Sequence, residues 1–201
     1  MLRCFKLLCV GMVLVLMISG CRIRMPDATE PSMAEATTTQ QQETYALRLG
    51  CKMPDLTVTT AQGEHLLLSE LLQEKKMVML NFWYADCYWC VREFPVMEVA
   101  YQDYKQDLEI IALSPYDPKE TIVDFQAKHS LSFPMATCNR DLVMGFGIGS
   151  YPTSVVIDRN GLICLIHSGA ITETQVFRKL FETFTAEDYT PRVYQSINEI
   201  L

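Results

Sequence analysis

The sequence has no concentrated positive charge and no internal repeats. Lys and Arg are scattered beyond the first few residues, and the 201-residue chain has a formal net charge of −7 at pH 7 and a pI of about 5.0. Proteins that bind nucleic acid need a basic patch or stripe that neutralises phosphates. Nucleic acid is therefore not an expected partner.

The sequence also lacks an apolar run long enough to span a membrane comfortably as a helix, because such a helix needs about 20 apolar residues. The apolar run at residues 10–19 follows Arg3 and Lys6, which is typical of a secretory signal. The run ends in ISGC, which resembles the lipobox of bacterial lipoproteins. That resemblance implies cleavage before Cys21 and attachment of a lipid to its thiol. A single-pass anchor and a plain secreted protein are the alternatives.

These features predict four segments along the chain. Residues 1–20 are predicted to be a lipoprotein signal peptide, and the polar residues 21–48 a flexible tether. A random coil of about 26 residues reaches about 30 Å, so we expect the tether to hold a domain at the extracytoplasmic face of the bacterial cell membrane. Residues 49–184 form the predicted domain, and residues 185–201 a C-terminal tail with a possible last helix after Pro191.

A second C-x-x-C motif is absent, and the three histidines are scattered. A structural zinc site usually needs four ligands, often from two such pairs, so no metal and no other cofactor are expected. Cleavage of the signal peptide and lipidation of Cys21 would leave five of the eight cysteines with a free thiol. An odd number with this spacing does not indicate a disulfide-rich scaffold. Cys164 lies in an apolar strand and is expected in the core. The roles of Cys51 and Cys138 stay open, and Cys138 is either a third redox thiol or simply tolerated.

Apolar runs and helical spacing predict an α/β protein with a mixed sheet. The predicted elements, in order, are a hairpin at 55–68, a helix from 69, a strand at 76–82, a helix at 88–105, a strand at 108–113, a helix at 118–129, a glycine-rich link at 144–149, strands at 154–158 and 162–167, and a helix at 172–184. Turns are expected at Gln62-Gly63 and Asn160-Gly161. The last helix is expected to begin at a Thr172 cap, with Gln175 three residues on.

The stretch NFWYADCYWCVREFP, residues 81–95, places Cys87 and Cys90 where a buried strand passes into a helix. A zinc pair, a structural disulfide and a redox pair are the competing interpretations. A disulfide across so short a loop restrains little chain entropy. A helix N-terminus stabilises a thiolate through its unpaired N–H groups and its dipole. This favours the redox pair, with Cys87 as the attacking thiol and Cys90 as the resolving thiol.

The run FWYADCYWCVREFP, the later YPTSVVIDRNG and the preceding hairpin resemble the thioredoxin superfamily, and within it the TlpA/ResA-type extracytoplasmic thiol–disulfide oxidoreductases. The resemblance covers about residues 49–184. It implies an enzyme with a thioredoxin-like fold, a mixed central sheet, an N-terminal β-hairpin and a strand–helix insertion after the active-site helix. Residues 108–129 match that insertion.

Three further positions carry over from the resemblance. Pro152 matches the family's cis-proline, which implies that the backbone of Tyr151 pairs with a substrate strand; an ordinary trans turn is the alternative. Glu93 matches an acidic residue near the cysteines, which would take the proton of Cys90 if burial raises its pKa. A solvated carboxylate on the helix surface is the alternative for Glu93. Trp89 stands where the family often has Pro, and we expect this bulky side chain to contact substrates.

Two other residues differ from the related sequences. Asp86 directly precedes Cys87, where the family often has Trp. Its negative charge disfavours a thiolate, and since a stabilised thiolate makes an oxidant, Asp86 favours a reductant, by less than about 1 kcal/mol at an exposed site. Asn81 stands where thioredoxin itself has a buried Asp, so proton handling is left to Glu93 or water.

The expected function is protein-disulfide reduction by a membrane-tethered enzyme. The resemblance implies protein substrates such as apocytochrome c or oxidised enzymes, and a membrane electron donor. The alternatives are an oxidant or isomerase of the same fold, a thioredoxin-fold copper chaperone, and a binding lipoprotein with structural cysteines. Such copper chaperones typically use Cys-x-x-x-Cys with a His, one residue longer than the spacing here. A thiol peroxidase is discounted because residues 82–87 lack the Pro and Thr or Ser of its pocket motif.

Overall fold

The computed structural model describes residues 46–201, which lie within one compact unit, Gln42–Leu201. The predicted signal peptide, the lipidation site Cys21 and most of the predicted tether lie outside the described residues. Among residues 46–201, no helix has the length and apolar character needed to cross a membrane. The strands are β1 (Thr57–Thr59), β2 (His65–Leu67), β3 (Met77–Phe82), β4 (Leu108–Ser114), β5 (Met135–Thr137), β6 (Thr153–Asp158) and β7 (Ile163–Ser168). The helices are α1 (Leu68–Glu74), α2 (Tyr88–Tyr104), α3 (Lys119–His129), α4 (Arg140–Gly145) and α5 (Thr174–Thr185).

The central sheet has the strand order β5-β4-β3-β6-β7. Strands β4 and β5 run parallel to β3, whereas β6 and β7 pair antiparallel, which confirms the predicted mixed sheet. Every residue of β3 is buried. A strand covered on both faces reads as a nearly continuous apolar run, and this is why residues 76–82 were recognisable as a central strand.

Both predicted hairpins are present. Strands β1 and β2 pair antiparallel across a turn that contains Gly63 at φ +95°. Strands β6 and β7 are joined by a turn that contains Gly161 at φ +74°. The Asp158 carboxylate accepts hydrogen bonds from the backbone N–H groups of Asn160 and Leu162, so this side chain closes the second turn from within.

Helices cover both faces of the sheet and form two hydrophobic clusters. One cluster contains apolar residues of α2, α3 and α5 together with Cys87 and Cys90. The other contains residues of the β1–β2 hairpin, α1 and α4. The redox pair therefore belongs to the core on one face of the sheet and does not stand on a separate loop.

Two short elements were missed between α3 and β6. Strand β5 has three residues and pairs with β4 at the edge of the sheet. Helix α4 has six residues and begins after Asn139, whose side chain accepts a hydrogen bond from the Asp141 N–H. Elements this short give too few repeats of a hydrophobic pattern to be detected, and the glycines at residues 145–149 suggested only a link.

The start of the last helix was predicted wrongly. Helix α5 begins at Thr174, and Glu173 occupies the N-cap position without a side-chain hydrogen bond. The predicted cap at Thr172, with Gln175 as its partner, is therefore absent. The apolar face of α5 was predicted correctly, since Phe177, Leu180 and Phe181 are buried.

The C-terminal residues pack onto the same core. After α5, the described chain contains one 3-10 turn, Ile197–Glu199, in place of a full helix after Pro191. Tyr194, Ile197 and Ile200 are buried in the cluster that contains Cys90. The Tyr189 hydroxyl donates a hydrogen bond to the buried Asp158 carboxylate at 3.1 Å, which ties this segment to the β6–β7 turn.

Candidate active site

The end of β3 delivers the chain directly to the N-terminus of α2. Cys87 is the N-cap residue of α2, and its Sγ accepts a hydrogen bond from the Cys90 N–H at 3.2 Å. The Cys87 N–H donates to the Tyr84 carbonyl at 3.1 Å, which fixes the loop between strand and helix. The geometry thus places a sulfur among the unpaired N–H groups of a helix start, where a thiolate is stabilised.

Cys87 and Cys90 form a disulfide with an S–S distance of 2.03 Å and a Cα–Cα distance of 5.3 Å. Cys90 is fully buried, whereas Cys87 retains 5% exposure. The more accessible sulfur is the one that an external thiol or disulfide can reach. This agrees with the predicted division between an attacking Cys87 and a resolving Cys90, although the two roles remain predictions.

The aromatic residues around the pair divide into a buried and an exposed group. Trp83 is fully buried and packs edge-on against Phe94 of α2 at a centroid distance of 5.0 Å. Tyr88 and Trp89, the two residues between the cysteines, are 63% and 54% exposed. Their rings meet edge to face at 5.1 Å. An exposed aromatic pair of this kind gives the disulfide an apolar surface for contact with another protein.

The Tyr151-Pro152 peptide bond is cis, as the resemblance implied. It lies beside the start of α2, because the antiparallel pairing of β3 with β6 sets Thr153 opposite Phe82. The Tyr151 ring is 5.4 Å from the ring of Tyr84. Within residues 46–201 no hydrogen bond engages the backbone N–H or C=O of Tyr151. The structure therefore leaves both backbone groups of Tyr151 open to a partner other than residues 46–201.

Sequence reasoning missed a cluster of three tyrosines next to the cis peptide. The rings of Tyr84, Tyr116 and Tyr151 lie 5.4–5.7 Å apart in pairs. The Arg140 guanidinium stacks over the Tyr116 ring at 4.8 Å. The three tyrosines come from three separate loops. No spacing along the chain could have revealed them; only the assembled sheet brings them together.

Glu93 is buried one turn beyond Cys90 on α2, so the alternative of a solvated surface carboxylate is wrong. Its Oε2 accepts a hydrogen bond from Asn81 Nδ2 at 3.1 Å, and its Oε1 accepts one from the Ile171 N–H at 3.0 Å. Burial raises the pKa of Glu93 to about 7, and the two donors oppose that rise. A carboxylate with such a pKa can both take and return a proton near neutral pH.

The other cysteines lie outside this arrangement. Cys164 is fully buried in β7, which confirms the expected core position. Cys138 is half-buried, and burial raises the pKa of its thiol to about 12. A thiol with that pKa is protonated at neutral pH and is a poor nucleophile, which argues against Cys138 as a third redox thiol. Cys51 is an exposed free cysteine. His167 is half-buried near the end of β7, and burial lowers its pKa.

Comparison with known protein families matches residues 49–166 to the AhpC/TSA family. The chain belongs to the AhpC/TSA family. The matched region contains the β1–β2 hairpin, the cysteine pair, the cis-proline and nearly all of the central sheet. The family assignment therefore covers every element that builds the candidate site except the Ile171 N–H.

Two of the curated relatives that the chain matches are named as thiol-disulfide oxidoreductases, and a third as a thioredoxin-like protein. The thiol-disulfide oxidoreductase ResA of Geobacillus kaustophilus is 34% identical over 140 residues, which cover 69% of this chain and 79% of the relative. ResA of Halalkalibacterium halodurans is 37% identical over 131 residues, with 64% and 73% coverage. The thioredoxin-like protein YneN of Bacillus subtilis is 28% identical over 145 residues, with 71% and 84% coverage.

The fold is shared with solved thioredoxin-family structures. A thiol:disulfide interchange protein of the thioredoxin family from Chlorobium tepidum superposes with a TM-score of 0.62 at 18% identity and covers 70% of this chain and all of the other. The predicted thioredoxin-like fold is thereby confirmed. The curated relatives and the Cys87–Cys90 pair together support thiol–disulfide oxidoreductase activity for this member of the AhpC/TSA family.

The raised pKa of Glu93 predicts a specific dependence of stability on pH. In the folded protein Glu93 keeps its proton up to about pH 7, whereas in the unfolded chain the same carboxyl group loses its proton near pH 4.5. The free energy of unfolding of the oxidised protein should therefore fall as pH rises between these values, by about 3 kcal/mol in total. Urea unfolding at a series of pH values measures this, and Glu93→Gln should remove that fall.

The matched control is Glu182→Gln, which changes an exposed carboxylate on α5. This variant should keep the pH dependence of the unmodified protein. An identical pH dependence in the unmodified protein and in Glu93→Gln would contradict the assigned pKa.

Proposed function

We propose that this protein is an extracytoplasmic, membrane-tethered thiol–disulfide oxidoreductase that reduces disulfides in protein substrates. The observation that carries the proposal is the placement of the Cys87–Cys90 disulfide at the start of α2, beside the cis Tyr151-Pro152 peptide. Buried structural disulfides need no such surroundings. A sulfur that reacts with other proteins needs an accessible face, a stabilised thiolate and a nearby surface for the partner.

The proposed cycle begins with the reduced pair. The Cys87 thiolate attacks one sulfur of a substrate disulfide, the substrate S–S bond breaks, and the departing substrate thiolate takes a proton from solvent. Glu93 then accepts the proton of Cys90, and the Cys90 thiolate attacks Cys87 Sγ. The mixed disulfide breaks and the second substrate thiolate leaves. The substrate has gained two electrons and the enzyme has become the Cys87–Cys90 disulfide.

A membrane electron donor then returns two electrons to the pair and closes the cycle. The reacting substrate segment lies in extended form against the cis peptide in this proposal. The backbone N–H and C=O of Tyr151 pair with the substrate main chain, as a strand is added to an open edge. In the same proposal, Pro152 lies against the disulfide, and Trp89 covers the substrate side chains that flank the reacting cysteine. Main-chain pairing accepts many sequences, which suits an enzyme that serves several protein partners.

Substitution of the resolving cysteine tests the exchange mechanism. Cys90→Ser should accumulate mixed disulfides between Cys87 and protein substrates, because the second attack is lost. Non-reducing electrophoresis of cells that express this variant, followed by mass spectrometry, identifies the captured proteins. Cys87→Ser should capture none, and Cys164→Ser, which changes a buried cysteine of β7, should behave as the unmodified protein. Absence of captured proteins while Cys87 remains open to alkylation would contradict the proposal.

The reducing direction is proposed from the charge next to Cys87. Asp86 is exposed and directly precedes Cys87 in the chain, so its charge disfavours the thiolate form that stabilises the reduced pair. Equilibration of the pair in glutathione or thioredoxin buffers gives the midpoint potential. We expect a value close to that of reducing thioredoxins, about −270 mV, rather than to that of DsbA-type oxidants, about −120 mV. A value near the oxidants would reverse the proposed direction.

A matched pair of variants isolates the contribution of Asp86. Asp86→Asn should raise the midpoint potential by up to about 20 mV, which corresponds to less than about 1 kcal/mol for a two-electron couple. Asp124→Asn removes another exposed negative charge, on α3, and should leave the potential unchanged. A fall in potential on Asp86→Asn would show that this charge acts in the opposite sense.

The membrane tether is proposed from the ISGC sequence that ends at Cys21. Cells fed a labelled fatty acid should incorporate the label into the protein, which should sediment with membranes and face outward in protease-accessibility assays. Cys21→Ser should abolish labelling, whereas Cys51→Ser should not affect it. Labelling that persists in Cys21→Ser would contradict the lipid-anchor proposal without bearing on the redox chemistry.

A further inference from the structure

Asn81 is a fully buried polar residue on the middle strand of the central sheet. The nitrogen of its side-chain amide has hydrogen-bond partners, but within residues 46–201 the oxygen has none. Its Nδ2 donates to Glu93 Oε2 at 3.1 Å and to Ser154 Oγ at 3.0 Å. Its Oδ1 is buried without a partner among the described residues. A buried acceptor without a partner carries a free-energy cost, so the position of this amide calls for a physical reason.

The reason lies in what the amide offers to Glu93. An ionised carboxylate only accepts hydrogen bonds, whereas an amide nitrogen donates two. In the observed orientation both amide hydrogens have acceptors and only one oxygen lacks a donor. The reverse orientation would set an oxygen against the Glu93 carboxylate and leave two buried donors without acceptors. The amide is therefore held in the orientation that pairs with the charged form of Glu93.

Ser154 helps to keep that orientation. It lies on β6 directly opposite Asn81 of β3 in the antiparallel pairing, and it is itself buried. The second donor to Glu93, the Ile171 N–H, comes from the segment before α5. Each carboxylate oxygen thus receives one donor, and the two donors belong to parts of the fold that are independent of α2.

No other charge competes with these groups. The pKa of Glu93 is set first by burial, which raises it, and then by the Ile171 N–H and the Asn81 amide, which lower it. No Lys, Arg or second carboxylate among residues 46–201 contributes. On its own helix, Arg92 and Glu98 are not among the groups that shift the pKa of Glu93, and Cys90 becomes a titratable neighbour once the disulfide is reduced. Of these influences, Asn81 is the only side chain whose substitution can change the balance without touching the sulfurs.

We propose that Asn81 is a positioning residue whose amide stabilises the charged, proton-accepting form of Glu93 against the effect of burial and thereby helps to set the pH range in which Cys90 is deprotonated. The inference rests on the proposed role of Glu93 in the resolving step. It assigns to the position a function that neither packing nor sheet formation requires, since an apolar residue of similar size would fill the same space without a buried unpaired oxygen.

The first test reads the protonation of Glu93 directly and does not depend on activity. The carboxyl carbon of Glu93 is followed by NMR in the oxidised, glutamate-labelled protein, with Glu93→Gln providing the assignment. Asn81→Leu should raise the titration midpoint of Glu93 by about one to two pH units, because a hydrogen bond to the charged form is lost. Ser154→Ala keeps the Asn81–Glu93 bond and should shift the midpoint much less.

A second variant covers the case in which Asn81→Leu does not fold. Asn81→Asp preserves the shape of the side chain but replaces the donor with an acceptor that carries a like charge. The two carboxyls then titrate as a pair, and the higher of the two apparent pKa values should lie above that of Glu93 in the unmodified protein. An unchanged Glu93 midpoint in whichever variant folds would overturn the inference.

The second test reads the resolving step itself. The reduced enzyme, in a Cys51→Ser background that removes the exposed free thiol, reacts with 5,5′-dithiobis(2-nitrobenzoate), which releases one thionitrobenzoate when Cys87 attacks and a second when Cys90 closes the disulfide. The pH profile of the second release should move upward in Asn81→Leu together with the Glu93 midpoint, while that of the first stays in place. A moved Glu93 midpoint with an unmoved second phase would support the positioning by Asn81 and contradict the proposed role of Glu93.

Discussion

The site depends on how the central strand β3 is connected to its neighbours. One connection is the short loop from β3 to helix α2, and the other is the antiparallel pairing of β3 with strand β6. Because β3 ends at Phe82 and α2 begins at Tyr88, the five residues between them fix where the Cys87 sulfur stands relative to the helix start. The pairing of Phe82 with Thr153 fixes the cis peptide on the other side. The same pairing sets Asn81 opposite Ser154, directly beneath the site. A shift of one residue in this register would turn Asn81 to the other face of the sheet and separate it from Glu93.

Much of this arrangement follows from the sequence. The apolar run of β3, the Asn160-Gly161 turn and the helical spacing after Tyr88 are local signals, and each predicted an element that the structure contains. The N-cap position of Cys87 follows from those elements alone. The cis peptide and the proximity of Glu93 to the cysteines came from the resemblance to a known family, because no local pattern distinguishes a cis proline from a trans one.

What the sequence did not reveal depends on residues that are far apart along the chain. The tyrosine cluster beside the disulfide needs three loops to meet, and the hydrogen bonds of Glu93 need β3 and the segment before α5. Strand β5 and helix α4 were missed because each is too short to show several repeats of a hydrophobic pattern. The Thr172 cap was predicted from a motif, but Glu173 is still extended and α5 begins only at Thr174. Long-range contacts and short elements are thus the two kinds of feature that escaped local reasoning.

The C-terminal segment has a consequence for the order in which the molecule is completed. Tyr194, Ile197 and Ile200 belong to the hydrophobic cluster that also surrounds Cys90, although about a hundred residues separate them. In a chain that emerges with its N-terminus first, both thiols leave the ribosome or the translocation channel well before the residues that finish enclosing them. On the proposed export route, the nascent cysteines meet oxidants in a looser environment than the mature protein provides, and the Cys87–Cys90 bond can form before the last turn of the chain has docked.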